Sequence, residues 1–362
     1  MQRKHIIAAA LSVAVAAALG VAAFAGTGIA RPGPVQKDRA IDATERAALV
    51  ESAIALLDRS YVYPDKAAAV AVSLRAKLHE GAFASIDSAE AFADALTDAL
   101  QRDTQDRHLE VRYVEQSVPD QPSGQDESAE DKTAELLQQR RLNFGFAQLR
   151  RLHGNIGYLD IHQFGRPQGS ADRIAAAMTL LADTSALIID LRKCGGGDPD
   201  SVMLVASYLV DHRTHLNDIY WREENRTEER WTQEDVPGRK YGSARPLYVL
   251  TSSDTFSGGE DFAYALKNAG RAILVGETTG GGAHPGNPRR LAEHFMMFVP
   301  SGRPISPVTH TDWEGVGVAP NIAVRAGKAL DAAQIAVLKQ LIATEADERW
   351  KGRLQETLAE LE

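Results

Sequence analysis

The stretch Leu247-Tyr-Val-Leu-Thr-Ser-Ser-Asp-Thr-Phe-Ser-Gly-Gly-Glu-Asp-Phe-Ala-Tyr-Ala-Leu-Lys-Asn-Ala-Gly-Arg-Ala-Ile-Leu-Val-Gly-Glu-Thr-Thr-Gly-Gly-Gly-Ala-His-Pro285 decides the fold. Leu247 to Leu250 is an apolar strand that ends in a Ser/Thr/Asp turn. A helix starts near Phe256, and a second apolar strand follows over Ala272 to Val275. Ser257 therefore sits where a strand hands over to a helix. Backbone N–H groups there are unpaired and the helix dipole is positive. A serine so placed can attack a carbonyl, with the Gly258 N–H facing the developing oxyanion. A plain helix N-cap is the other use of a serine at such a turn, and Ser252 and Ser253 are local rivals.

Working outward, strands and helices alternate from about Asn143 to Val324. The strands expected are Gly157 to Ile161, Ala186 to Leu191, Leu247 to Leu250, Ala272 to Val275 and Phe295 to Val299. Helices are expected over Ala171 to Leu181, Ser201 to Leu209 and Gly258 to Asn268, which makes the fold class α/β. Upstream, Leu49, Ala53, Leu56 and Leu57 form one helical stripe. Val70, Leu74 and Leu78 form a second, and Phe92, Leu96 and Leu100 a third. Asp87 with Glu90 predicts a capping box for the third helix. Asp106-Arg-His-Leu-Glu-Val-Arg-Tyr113 alternates like a strand, with His108, Glu110 and Arg112 on one face. Residues 114–137 are acidic, polar and without apolar period, and read as a loop or linker. Residues 329–361 return to helix.

The opening stretch resembles the nucleophile region of the C-terminal-processing (tail-specific) serine peptidases. It is most like their branch containing tricorn protease and interphotoreceptor retinoid-binding protein. Two further blocks carry the resemblance. Ala186-Leu-Ile-Ile-Asp-Leu-Arg-Lys-Cys-Gly-Gly-Gly-Asp-Pro-Asp-Ser-Val202 is similar to the family's strand, Asp-Leu-Arg and triple glycine. Trp313-Glu-Gly-Val-Gly-Val-Ala-Pro320 is similar to its Gly-Val-x-Pro-Asp ending, with Asn321 in place of Asp. Three ordered blocks are more specific than one short motif. The resemblance implies a ClpP/crotonase-like β/β/α catalytic core with a small N-terminal three-helix domain and a C-terminal helix. The expected divisions are 1–30 signal peptide or membrane anchor, 31–43 linker, 44–105 helical domain and 106–137 strand plus acidic loop. The peptidase core follows over 138–328 and the C-terminal helix over 329–362. Roughly 25 residues of polar loop cannot hold the PDZ domain that many of these peptidases carry.

The resemblance also implies a site. Ser257 aligns as the nucleophile, and a serine needs a base. Gly282 stands where the Ser–Lys branch has its lysine, so a Ser–Lys dyad is not expected. His108 matches the histidine that the tricorn-like branch uses instead, and an imidazole titrates near neutral pH. His284 is the alternative base, and Glu314 matches the branch's acid, which would orient the imidazolium. Arg107 stands where tricorn proteases have a relay serine, so either Glu314 reaches His108 directly or through water, or the relay differs. Gly196 and Gly197, with Gly258, are the expected oxyanion-hole donors. The expected activity is that of an exported serine-type peptidase acting on peptide or unfolded protein. Alternatives are a non-catalytic binder of hydrophobic ligands, like the retinoid-binding relatives, and a peptidase-like scaffold.

Composition agrees with a globular protein: 362 residues, 44% hydrophobic and 25% charged. A net charge of −9 argues against a nucleic-acid partner. Arg3 and Lys4 precede an apolar stretch over Ile6 to Phe24 and an Ala23-Phe24-Ala25 cleavage signature, so export to periplasm or exterior is expected. A membrane association follows only if that segment is retained. The single cysteine, Cys194, excludes an internal disulfide and reads as a packed residue at a strand end. No cofactor or metal is expected, since His212-Arg-Thr-His215 lacks acidic or thiol neighbours at ligand spacing. The stretch from Tyr220 to Lys240, charged and with two tryptophans, reads as a solvated loop or hairpin beside the groove.

Overall fold

The computed structural model describes residues 36–120 and 129–362. The expected signal segment, its cleavage site and the start of the linker lie outside the described residues.

Three helices come first: α1 (Ala43–Ser60), α2 (Pro64–His79) and α3 (Ala89–Thr104). Asp42 caps α1 by accepting the Glu45 N–H, and Pro64 opens α2 where its missing N–H costs nothing. The cap of α3 is Ser88, accepting from Ala91, and not Asp87 as the pattern suggested. The apolar stripes face inward as read, with Leu49, Leu57, Leu74, Phe92, Leu96 and Leu100 fully buried.

Strand β1 (Glu110–Tyr113) follows, then α4 (Ala129–Arg141). The latter corrects the expected loop over 114–137. Its sequence has good helix formers but no apolar stripe, so intrinsic propensity decides where periodicity is silent. Then come β2 (Phe146–Leu152), β3 (Ile156–Ile161), α5 (Pro167–Leu181), β4 (Ala186–Asp190) and α6 (Pro199–Ser207). A hairpin of β5 (His215–Trp221) and β6 (Arg226–Trp231) precedes β7 (Leu247–Thr251), α7 (Gly258–Asn268) and β8 (Ile273–Gly276). Last are β9 (Gly286–Ala292), β10 (Phe295–Pro300), β11 (Gly302–Ile305), β12 (Ile322–Ala323), α8 (Ala329–Thr344) and α9 (Glu348–Leu361). The expected single C-terminal helix is thus two, because Asp347 turns its carboxylate onto the N–H groups of Arg349 and Trp350 and starts a new helix.

The main sheet has the order β12-β8-β7-β4-β3-β2, parallel except for the β2–β3 pair. Every residue of β4 and β7 is buried, as a parallel sheet covered on both faces requires. Helices α5, α6 and α7 pack one face and α8 and α9 the other. A second, antiparallel sheet, β1-β10-β9, joins the N-terminal helices to the core in one hydrophobic cluster. The third, β11-β5-β6, ties the hairpin down. Among the described residues no helix is long and apolar enough to cross a membrane.

Phe262 of α7 is fully buried and packs on Phe164, ring centroids 5.5 Å apart. Phe262→Ala is expected to cost about 3–5 kcal/mol, read as a lower urea midpoint at unchanged slope.

Candidate functional site

Ser257 lies at the carboxyl end of β7, as the residue before α7. Its backbone is unusual for a residue with a side chain: φ +52°, ψ −121°. Such a conformation costs about 1–3 kcal/mol and persists only where neighbours enforce it. The enforcing group is Glu260, one turn into the helix and fully buried. Its Oε2 accepts the Ser257 N–H at 2.9 Å and the Gly282 N–H at 2.8 Å. Its Oε1 accepts the Gly281 N–H at 2.7 Å and the Thr279 hydroxyl. Burial pushes the Glu260 pKa up to about 7, against four donors that favour the ionised form.

Because the Ser257 N–H is engaged, the free donors at the turn are its neighbours. Gly258 begins the helix and has no intrahelical acceptor for its N–H. Gly196 and Gly197 lie against it with φ +110° and +131°. A Cβ on Gly196 would stand 2.8 Å from the Ser257 Cβ, and one on Gly197 would stand 2.2 Å from the Phe164 carbonyl oxygen. Only glycine fits either place. The Gly196 carbonyl accepts from Phe164 at 2.8 Å and the Gly195 N–H donates to the His162 carbonyl at 3.1 Å, which fixes the glycine run beside the serine turn. The structure brings Ser257, Gly196, Gly197 and Gly258 together.

Cys194 is buried, its thiol pushed up to about 12 by burial, and its Sγ would stand 3.1 Å from a Cβ on Gly259. It packs the turn and is no nucleophile.

His108 reaches the same turn from the other sheet. Helix α3 ends at Gln105 in the left-handed conformation (φ +61°), which swings Asp106 and His108 inward. The His108 ring lies on Phe256 (centroids 4.7 Å) and on Phe298 (5.9 Å), with only 7% of the residue exposed. Alternation places it on a strand face with Glu110 and Arg112, which are less buried than it is. Neither ring nitrogen has a hydrogen-bond partner among the described residues, and neither histidine of the site bonds the Ser257 hydroxyl. Burial, then the charges of His284 and Arg107, lower the His108 pKa to about 4 against the pull of Asp106.

Asp106 was not singled out in the sequence, where it is only the first residue of the strand-like segment 106–113. It is 1% exposed and receives four contacts. Its Oδ1 accepts the His108 N–H at 3.0 Å and faces His108 Nδ1 at 3.9 Å. Its Oδ2 accepts the Tyr61 hydroxyl at 3.1 Å and His284 Nδ1–H at 2.7 Å. His284 lies on the far side of Asp106 from His108, 3.5 Å from Glu314 Oε2. Glu314 therefore faces His284, not His108 as expected; it also accepts the Ala283 N–H at 2.6 Å. Burial, then repulsion from Asp106, raise the Glu314 pKa to about 7. Arg107, in the relay-serine position, turns away and donates to the Gly280 carbonyl at 2.8 Å while covering the Phe256 ring.

Asp106, His284 and Glu314 could also offer three atoms within 4.8 Å to a cation. His284 Nδ1–H already donates to Asp106 Oδ2, so this donor set fits a hydrogen-bonded ion pair better than a metal.

Residues 155–324 match the profile of peptidase family S41, and residues 42–142 match that of the N-terminal domain of peptidase S41 in eukaryotic IRBP. The chain is 30% identical over 176 residues to carboxyl-terminal-processing peptidase 2, chloroplastic, of Arabidopsis thaliana, covering 46% of this chain and 31% of that one. It is 28% identical over 134 residues to the chloroplastic C-terminal processing peptidase of Tetradesmus obliquus, covering 35% and 26%. It thus spans less than a third of either relative. Among solved structures, a lipoprotein from Streptococcus agalactiae superposes with a TM-score of 0.52 at 13% identity, covering 82% of this chain and 96% of that one. That likeness is one of fold.

Glu260→Gln would turn an amide NH2 toward two of the four donors, whichever oxygen it replaces. At about pH 8, above the raised pKa, it is expected to cost about 2–3 kcal/mol in urea denaturation.

Proposed function

We propose, for a chain that belongs to peptidase family S41, that it is an exported serine peptidase cleaving extended peptides or unfolded protein. One observation carries the reading: Ser257 is held at positive φ at the head of α7, with the unpaired Gly258 N–H and the Gly196–Gly197 backbone against it. That is the strained strand-to-helix turn by which a serine is presented to a carbonyl.

His108 Nδ1 faces Asp106, which leaves Nε2 for the serine. His108 Nε2 takes the Ser257 hydroxyl proton as Oγ bonds to the substrate carbonyl carbon. The carbonyl electron pair moves onto oxygen, which the N–H groups of Gly258 and of Gly196 or Gly197 receive. Collapse breaks the C–N bond, and His108 gives its proton to the leaving amine. Water, deprotonated by His108, then hydrolyses the acyl-enzyme and returns Ser257. Burial, the largest cause of the lowered His108 pKa, keeps the resting ring neutral, and so able to accept a proton, near neutral pH. The ring must close on Ser257 when substrate arrives, as catalytic hydrogen bonds do on complex formation. Export is supported by the segment that begins with Arg3 and Lys4.

The test is labelling of the full chain with a fluorophosphonate, with the adduct mapped by mass spectrometry, alongside digestion of unfolded casein. Adduct on Ser257 and casein cleavage are expected, both lost in Ser257→Ala. His108→Ala should slow both by about 10²–10⁴-fold. A folded wild-type chain that takes no adduct would remove the peptidase reading. Undiminished labelling in His108→Ala would remove His108 as base.

A further inference from the structure

We propose that Asp106, rather than Glu314, is the carboxylate that orients His108, and that His284 is a cationic positioning residue that fixes Asp106 in place. The proposal rests on the reading of Ser257 and His108 as nucleophile and base, and it assigns the residue behind the base.

The argument starts from the two oxygens of Asp106. Oδ2 is saturated by the Tyr61 hydroxyl and by His284 Nδ1–H. Oδ1 is the oxygen turned to His108, holding its N–H at 3.0 Å and facing its ring at 3.9 Å. The two histidines therefore share one carboxylate from opposite sides. Glu314 makes no direct contact with His108 among the described residues; its Oε2 lies on His284 and on the Ala283 N–H, and its buried Oε1 has no partner. A carboxylate that is 1% exposed is stable as an anion only if it is paired and hydrogen-bonded, and His284 supplies both.

The charges facing His284 Nδ1 agree with a cation there, while its buried Nε2 has no hydrogen-bond partner among the described residues. Asp106 and Glu314 contact it, Asp312 lies beyond them, and Tyr63 covers its ring edge-on with centroids 5.3 Å apart. Burial works against charging His284, but the hydrogen bond and charge of Asp106, with Glu314 and Asp312, outweigh it and raise the pKa. On the His108 side the facing charges are Asp106, His284 and Arg107. The positive charge of His284 offsets the anion that would otherwise draw a proton onto His108. His284 thus does two things: it aims Asp106 Oδ1 at the base, and it adds to the burial that lowers the His108 pKa. It never touches substrate. When His108 takes the serine proton, its Nδ1–H is the group that Asp106 Oδ1 receives.

The test is an NMR titration of His108 in full chain labelled at histidine Cε1, assigned with His108→Ala, together with the acid limb of kcat/KM on unfolded casein. His284→Gln keeps a neutral donor and removes the cation. The His108 midpoint is expected to rise by about one unit, and the acid limb to move up with it. Tyr61→Phe removes only a hydroxyl, is the safer variant for folding, and is expected to give a smaller shift in the same direction. A midpoint unmoved in both folded variants overturns the proposal, even if kcat falls, because a merely structural role lowers kcat without moving the titration. The titration needs no turnover, so failure of Ser257 to react with fluorophosphonate counts against the peptidase reading alone.

Discussion

The Glu260 carboxylate is the constraint on which the site depends. It is one side chain with four donors, and those donors belong to two separate pieces of chain: the serine turn, and the loop from Thr279 to Gly282. Remove it and Ser257 has no reason to hold positive φ. The loop would also lose its anchor, although it has others. Gly280 donates to the Thr255 carbonyl, Gly281 accepts from Gly315, and Gly282 accepts from the Trp313 indole. Each polar backbone atom of Gly280 to Gly282 thus has a partner, so the loop is a fixed wall. A buried acid is a costly way to fix a wall, and its raised pKa records the strain of burial. The return is registry: the nucleophile and the wall across from it cannot shift independently.

The site is also built by two bodies. Asp106 and His108 come from the segment after the helical domain, and Tyr61 and Tyr63 from the link between α1 and α2. Strand β1 fixes this part by pairing with β10 of the core, Val111 opposite Met297. Arg222, at the tip of the hairpin, donates to the carbonyls of Asp58 and Tyr61, closing the last turn of α1 onto the core. The helical domain is therefore part of the site's frame. Loosening its docking would move His108 while leaving Ser257 in place.

Much of this was legible in the sequence, for a clear reason in each case. Fully buried strands such as β4 and β7 write continuous apolar runs, and the serine turn between β7 and α7 has a local signature. Helix α4 was not legible, since it lacks an apolar face. Asp106 and Glu260 were missed because their roles are long-range. Asp106 sits after a helix end and bonds a histidine 178 residues away. Glu260 sits where an N-terminal acid is ordinary, yet bonds groups about the width of one loop and strand further on. His284 was read as a rival base because sequence places it near Ser257. The fold instead spends its Nδ1 on Asp106 and buries the ring. Proximity in sequence says little about which face of a carboxylate a side chain will meet.

Gly282 shows why the histidine and lysine solutions exclude one another in this pocket. A Cβ there would fall 2.1 Å from Phe256 Cζ and 2.8 Å from His108 Cε1. The Phe256 ring is wedged between His108 and the Arg107 guanidinium, so it has nowhere to retreat. No lysine, indeed no side chain, can stand at position 282 while His108 occupies its place. The missing lysine is therefore the space that the imidazole fills. Arg107 follows from the same packing. A serine in its place could not reach Gly280 or cover Phe256, and the aromatic floor under His108 would lose its outer support. Arg107 instead holds the aromatic floor under His108, and Asp106, which the turn at Gln105 carries inward, is a carboxylate that faces the His108 ring.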